Sequence, residues 1–130
     1  MTVDTTETTR SVAPGVPAPD SPRGRQLKAA LALQHLLSHD LPAAIWRIDG
    51  DSRIEGQITS RQDAVVADLI TWATFIGAEP TARPYAHNKG KTGAIEAVAV
   101  YRDVQVRMWN GMKVADMPAE WLKRGTPGGE

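Results

Sequence analysis

The segment from Ser60 to Gly77 has the clearest periodic pattern in the chain and constrains its fold most strongly. Apolar side chains recur there at the spacing of one helix face: Val65, Leu69, Trp72 and Ile76. Ser60 is a favourable N-cap residue, and Asp63 stands three residues later as a short form of the capping box. Gly77 follows the last apolar residue, where glycine commonly ends a helix. The pattern predicts an amphipathic helix over Gln62–Ile76 whose apolar side belongs to the core.

A two-residue alternation replaces the helical period just before this helix. We predict strands over Ala43–Asp49 and Arg53–Thr59, joined by a turn at residues 50–52. Counting across the turn puts apolar residues on one face, with position 44 opposite 58, 46 opposite 56 and 48 opposite 54. The other face receives two opposite-charge pairs: Asp49 with Arg53, and Arg47 with Glu55. A slip of one residue would exchange the two faces, so the pattern specifies the register.

The flanking segments predict two further helices and an edge strand. A helix over about Gln26–Ser38 has leucines around more than half of its circumference, which indicates burial on two sides or self-association. Thr81–Tyr85 reads as a strand that Pro84 confines to a sheet edge. A short helical turn opens at Pro118 and ends near Arg124.

A second hairpin precedes that turn. Strands over Ile95–Tyr101 and Val104–Trp109 alternate around Arg102-Asp103, and Asn110-Gly111 is typical of a type I′ turn into a short strand at Met112–Val114. This assignment leaves an apolar strip on the second face of the sheet: Val98, Val100, Trp109, Met112 and Val114. Something must cover that strip, and the candidates are the first helix, the segment around Trp121, or a partner.

Together these elements predict one α+β domain over residues 25–124. We expect a mainly antiparallel sheet of five to six strands with one amphipathic helix packed on a face, in the order α-ββ-α-β-βββ-α. Prolines recur from Pro14 to Pro19, and the preceding residues are polar and aperiodic, so residues 1–24 are predicted to be a disordered arm. Residues 125–130 are predicted to be a disordered tail.

Composition excludes several classes of protein. The 130 residues contain no cysteine, which rules out disulfides, thiol catalysis and cysteine-based zinc sites. The chain has no apolar run long enough for a membrane span and no apolar region typical of a signal peptide, so we expect a cytoplasmic protein. Ten arginines against five lysines indicate a GC-rich bacterial genome or one of its phages.

The motifs that carry chemistry are incomplete. Gly90-Lys91-Thr92 resembles part of a phosphate loop, but the first glycine of that motif is missing and a strand, not a helix, is predicted to follow. His35 and His39 have the helical spacing of two metal ligands, with no third ligand apparent. Because no serine or carboxylate pair stands in a catalytic pattern either, we expect no enzyme activity, no metal and no cofactor.

The leading expectation is a small regulatory module that binds another protein or a second copy of itself. Trp109, Met112 and Trp121 are the candidate contact residues, because aromatic residues and methionine are enriched at protein interfaces. The predicted turn would bring Trp109 and Met112 together on the face opposite Val106 and Met108.

The alternative is an accessory protein that binds single-stranded nucleic acid or RNA. Residues 1–80 hold seven basic and ten acidic residues, whereas residues 81–130 hold eight basic and five acidic ones. The candidate phosphate contacts in the basic half are Arg83, His87, Lys89, Lys91 and Arg107, close to Tyr85 and Trp109 on which a base could stack. No known nucleic-acid-binding motif accompanies them.

Overall fold

A computed structural model describes residues 15–50 and 52–125 of the chain. Eight main elements follow one another: α1 (Pro22–Leu37), β1 (Ala44–Asp49), β2 (Arg53–Ile58), α2 (Val65–Ile76), β3 (Thr81–Pro84), β4 (Thr92–Tyr101), β5 (Val104–Lys113) and α3 (Ala119–Gly125). Short 3-10 turns lie at Ala86–Asn88 and Val114–Asp116. The predicted α+β class is confirmed.

The five strands form one sheet in the order β1-β2-β5-β4-β3. The β2–β5 pair is parallel and the other three pairs are antiparallel, so the sheet is mainly antiparallel as predicted. The register of the first hairpin is confirmed at all of its predicted pairs, from Ala44 opposite Ile58 to Asp49 opposite Arg53. The β4–β5 hairpin pairs Tyr101 with Val104, as expected for two strands that are joined by a turn at Arg102-Asp103.

The predicted turn at Asn110-Gly111 is wrong, because β5 runs straight through it to Lys113. A type I′ turn needs positive φ at both central residues, and neither Asn110 nor Gly111 has one. The Asn110 side chain instead donates to the Ile58 carbonyl oxygen at 2.7 Å and so holds β5 against the end of β2. Strand β4 begins at Thr92, early enough to pair with this extension. The predicted order with a sixth strand is corrected to five strands.

The helices differ from prediction in number and in their first residues. Three helices, not one, contribute to the core. Helix α1 begins at Pro22 because the Ser21 hydroxyl accepts from the Gly24 amide at 3.0 Å, within the segment predicted to be disordered. Helix α2 begins at Val65, where no side chain caps it. The Ser60 hydroxyl donates to the Asp68 carboxylate instead of capping the helix.

The core lies on one face of the sheet, between the strands and all three helices. It is built from large buried side chains of the sheet and helices, among them Leu36, Ile54, Leu69, Trp72, Ile95, Met108 and Trp121. The Trp72 indole donates to the Pro42 carbonyl oxygen at 2.9 Å and meets Trp46 edge-on. Residues 1–14 of the predicted arm and residues 126–130 of the predicted tail lie outside the described residues. Among the residues described, no helix has the length and apolar character needed to cross a membrane.

Candidate functional site

No described α-helix packs on the face of the sheet opposite the core, and we call it the open face. The Tyr85 ring reaches over this face toward Gly111, and Ala94 is buried there. Side chains alternate between the two faces of a strand, so the open face is defined by the residues that alternate with the core positions. They are Ile45, Arg47 and Asp49 in β1, Arg53, Glu55 and Gln57 in β2, Thr81 and Arg83 in β3, Thr92, Ala94, Glu96, Val98 and Val100 in β4, and Gln105, Arg107, Trp109, Gly111 and Lys113 in β5.

Trp109 and Arg107 occupy the middle of the open face, on the central strand. The Arg107 guanidinium carbon lies 4.9 Å from the centre of the Trp109 ring. Its Nε donates to Glu96 at 2.5 Å, and its Nη1 lies 3.4 Å from a carboxylate oxygen of Glu55. The two carboxylates therefore hold the Arg107 guanidinium in place, and the guanidinium lies over one face of the half-buried Trp109 ring.

Every acidic side chain of the open face is paired with an arginine. Besides the Arg107 contacts, Arg47 lies 2.9 Å from Glu55 and Arg53 lies 2.9 Å from Asp49. These are the two cross-strand pairs expected from the sequence. Arg83 and Lys113 have no such partner among the described residues. The face thus has a surplus of positive charge at the end where β5 finishes.

Two stacked aromatic rings lie beside this surplus of positive charge. The Tyr85 and His87 rings are 5.3 Å apart and nearly parallel. The Tyr85 amide donates to the Thr92 carbonyl oxygen at 2.8 Å, which extends the β3–β4 ladder by one residue. A Cβ placed on Gly111 would lie 3.7 Å from the Tyr85 hydroxyl, so the ring reaches across β4 toward β5.

The loop after Tyr85 brings two more cations to the same end. Asn88 hydrogen-bonds to Thr92, and Lys89 and Gly90 take the left-handed conformation that closes the loop. Lys91 and Lys113 then line one shallow concavity, and both are exposed. We call Arg83, His87, Lys89, Lys91 and Lys113 the basic end.

The residues predicted as partner contacts are not brought together. Trp109 is on the open face, but Met112 is on the core face and is 8% exposed. Trp121, on α3, is 5% exposed and packs in the same core cluster as Met112. The predicted adjacency of Trp109 and Met112 fails because β5 continues without a turn, which puts residues of opposite parity on opposite faces.

The residues predicted as phosphate contacts are largely brought together. Arg83, His87, Lys89 and Lys91 all belong to the basic end, whereas Arg107 lies farther along β5 and is already held by two carboxylates. Lys113 was not among the phosphate contacts predicted from the sequence. Its position, two residues beyond Gly111 and four beyond Trp109, would have placed it on this face had the strand been extended.

The two histidines considered as metal ligands are engaged elsewhere. His35 Nδ1 hydrogen-bonds to the Tyr101 hydroxyl, and His39 Nδ1 lies 2.9 Å from the His35 carbonyl oxygen. Burial lowers the pKa of His35 below its ordinary value, and the nearby charges of Arg102 and His39 act in the same direction. No group of three or more metal-ligating side chains occurs in the part of the chain that the structure describes.

Comparison with known proteins identifies no relative for this chain. No family model matches it, and neither the curated proteins nor the solved structures contain a match.

Proposed function

We propose that this chain is a non-enzymatic module that binds single-stranded nucleic acid on its open face. The observation that carries the proposal is the charge balance of that face. Its acidic side chains are all neutralised by arginines, while Arg83 and Lys113 have no acidic partner in the part of the chain that the structure describes. The exposed Lys89 and Lys91 lie beside them. A surface of this kind attracts phosphate groups, because its cations are unpaired and its carboxylates are neutralised and repel phosphate only weakly.

Aromatic rings supply the second contact that such a ligand needs. Single-stranded nucleic acid binds to grooves in which cations follow the backbone and bases stack on aromatic side chains. Trp109 borders a concavity of about 120 Å³ that is also lined by Ile45 and Gln57. A base stacked on Trp109 there would have the Gln57 amide within reach of its polar edge.

The spacing of the two contacts predicts an extended ligand. Lys113 lies four positions beyond Trp109 along β5, which is about 13 Å at ~3.3 Å per residue. A single nucleotide cannot place its base on Trp109 and its phosphate at the basic end. We therefore expect oligonucleotides to bind and mononucleotides to bind far more weakly.

Fluorescence anisotropy with labelled single-stranded DNA and RNA of mixed sequence tests the proposal. Lys89→Ala combined with Lys91→Ala should weaken binding and reduce the slope of log K against log salt by about 1.4, because each lost phosphate contact removes ~0.7. The matched control is Lys28→Ala combined with Lys123→Ala, which removes two exposed lysines from α1 and α3. We expect it to change nothing.

Absence of binding to every oligonucleotide at about 50 mM salt, where electrostatic contacts are strong, would rule the proposal out. Equal losses in the two double variants would also contradict it. They would mean that any surface lysine contributes and that the basic end has no special role.

A protein partner on the same face is the second candidate, and one observation favours it. Ile45 is 63% exposed and Val100 is 73% exposed, and both project from the open face. Of the three contact residues expected from the sequence, only Trp109 belongs to this surface. A chain that binds no oligonucleotide would leave this candidate as the better explanation of the exposed apolar residues.

A further inference from the structure

The two edges of the sheet are unequal, and the edge at β3 is closed. Strand β3 has four residues and ends in Pro84. Two nitrogens of the Arg124 guanidinium donate to the Pro80 carbonyl oxygen at 2.7 and 3.0 Å, which fixes α3 beside the strand. Gly125 lies so close that an added Cβ would be 2.1 Å from the Ala82 carbonyl oxygen. No further strand has room to pair there.

The edge at β1 has no neighbouring strand among the residues that the structure describes. The Thr59 amide donates to the Ala43 carbonyl oxygen at 3.3 Å, so residue 43 directs its backbone groups toward β2. Because these groups alternate in direction along an antiparallel strand, residues 45, 47 and 49 also face β2. The N–H and C=O groups of Ala44, Trp46 and Ile48 point away from the sheet, and no described strand pairs with them. Strand β1 contains none of the prolines that commonly blunt a free edge.

An apolar flank of α1 lies beside the free edge. Leu27 and Ala30 line a concavity of about 530 Å³ together with Ile48 of β1. At the other end of the strand, Leu37 lines a concavity of about 230 Å³ together with Ala44 and Trp46. The free backbone groups thus run between a mixed hollow, which Arg23 and Gln26 also line, and a mainly apolar one. A partner that pairs with β1 would also cover both.

We infer that a second copy of this chain pairs with β1, so that two β1 strands lie antiparallel about a two-fold axis at Trp46. In this register Ala44 lies opposite Ile48 of the other copy at both ends, and every outward backbone group of the three residues is paired. On the open face Arg47 lies opposite Ile45. A shift that centres the axis on Arg47 would instead put two arginines opposite each other, which is unfavourable.

A second copy fits this edge better than an unrelated strand does. A two-fold axis makes one edge complementary to itself, and α1 contributes its leucines from both sides. With the β3 edge closed, the pairing ends at two copies and does not grow into a fibre. The result is a ten-stranded sheet whose two open faces are continuous. This inference is independent of what the open face binds.

Sedimentation equilibrium of the full chain tests the inference with matched variants. The wild type should have twice the 14.1 kDa mass of the chain. Leu37→Glu, at a position 59% exposed on the flank beside β1, should lower the mass to that of one chain. Leu31→Glu is the control, because Leu31 is 55% exposed on the same helix but lines a different hollow with Arg102 and Asp103. It should remain a dimer.

Ala44→Pro provides a second test that acts on the backbone. It removes an N–H that makes no bond within the sheet, so the variant should fold like the wild type and sediment as a monomer. A wild type that stays monomeric up to sub-millimolar concentration would overturn the inference. So would a dimer that survives both Leu37→Glu and Ala44→Pro, or one that Leu31→Glu dissociates equally.

Discussion

Arg107 stacks on Trp109 with its guanidinium carbon 4.9 Å from the ring centre, and the same guanidinium bonds to carboxylates on both neighbouring strands. Glu55 on β2 and Glu96 on β4 thus hold one cation in place over the indole. This arrangement fixes the ring on the open face and neutralises the two carboxylates beside it. The half-buried indole thus lies in a surface whose described carboxylates are all paired with arginines, which would favour the stacking of a base that carries a phosphate.

Removal of this arginine should destabilise the sheet. Arg107→Ala leaves the partly buried Glu96 without its cation and Glu55 with Arg47 alone, and we expect it to lower the free energy of unfolding by about 1–3 kcal/mol. Arg47→Ala is the control, because that side chain is 70% exposed and surface pairs contribute at most ~1 kcal/mol. Urea denaturation compares the two. A loss for Arg47→Ala as large as that for Arg107→Ala would contradict the role assigned to Arg107.

Two glycines of neighbouring strands should respond in opposite ways to alanine. A Cβ on Gly93 would lie 2.2 Å from the Arg83 carbonyl oxygen and 2.8 Å from the Pro84 Cα, and backbone atoms cannot yield as a side chain can. Gly93→Ala should therefore cost about 1–3 kcal/mol. Gly111 has no atom closer than 3.6 Å to the added Cβ, so Gly111→Ala should be neutral or stabilise by up to ~1 kcal/mol.

Thermal unfolding of both glycine variants measures the difference. Equal melting temperatures would mean that β3 moves away from Gly93 with little cost. The close approach of the two strands would then not be a constraint on the fold.

The sequence specified the hairpins well because each carries its own register signal. Charge pairs on one face and apolar pairs on the other fix Arg47 opposite Glu55, and small residues facing large ones fix Ala99 opposite Val106. The parallel pairing of β2 with β5 could not be predicted from such local patterns. It joins segments about fifty residues apart, and its stabilising bond from Asn110 to Ile58 has no local signature.

The wrong turn prediction at Asn110-Gly111 also explains why the predicted contact residues do not lie together. This dipeptide favours a tight turn when considered alone, but the bond to β2 and the pairing with β4 keep it extended. Once the strand continues, Met112 belongs to the core and Lys113 to the open face. The other four residues of the basic end could be predicted because they are close together in sequence. Lys113 is distant in sequence, and only the pairing of the strands brings it to the same end of the sheet.

His35 should make the fold less stable in mild acid. Its pKa is lowered in the folded chain by burial first, and then by Arg102 and His39, so folding favours the neutral ring. An unprotonated Nδ1 can accept a hydrogen bond from the Tyr101 hydroxyl, whereas a protonated Nδ1 cannot. The stabilisation is complete above the ordinary pKa of 6.5. It is lost as the pH falls below that value toward the folded pKa, because the unfolded chain then binds more protons.

Urea denaturation across this pH range, with His35→Gln for comparison, isolates the contribution. The stability of the wild type should fall more steeply than that of the variant as the pH is lowered. Parallel curves for the two proteins would show that the lowered pKa of His35 has no consequence for folding.

Nucleic-acid binding on the open face is tested by titrating isotope-labelled protein with a single-stranded oligonucleotide and following the titration by NMR. We expect chemical-shift changes at the Trp109 indole, at Arg83 and Lys113, and in the loop around Lys91, with little change in α2. These residues are far apart in sequence, and only the open face brings them together. A spectrum that does not change, or changes confined to the helical side, would contradict nucleic-acid binding on this face.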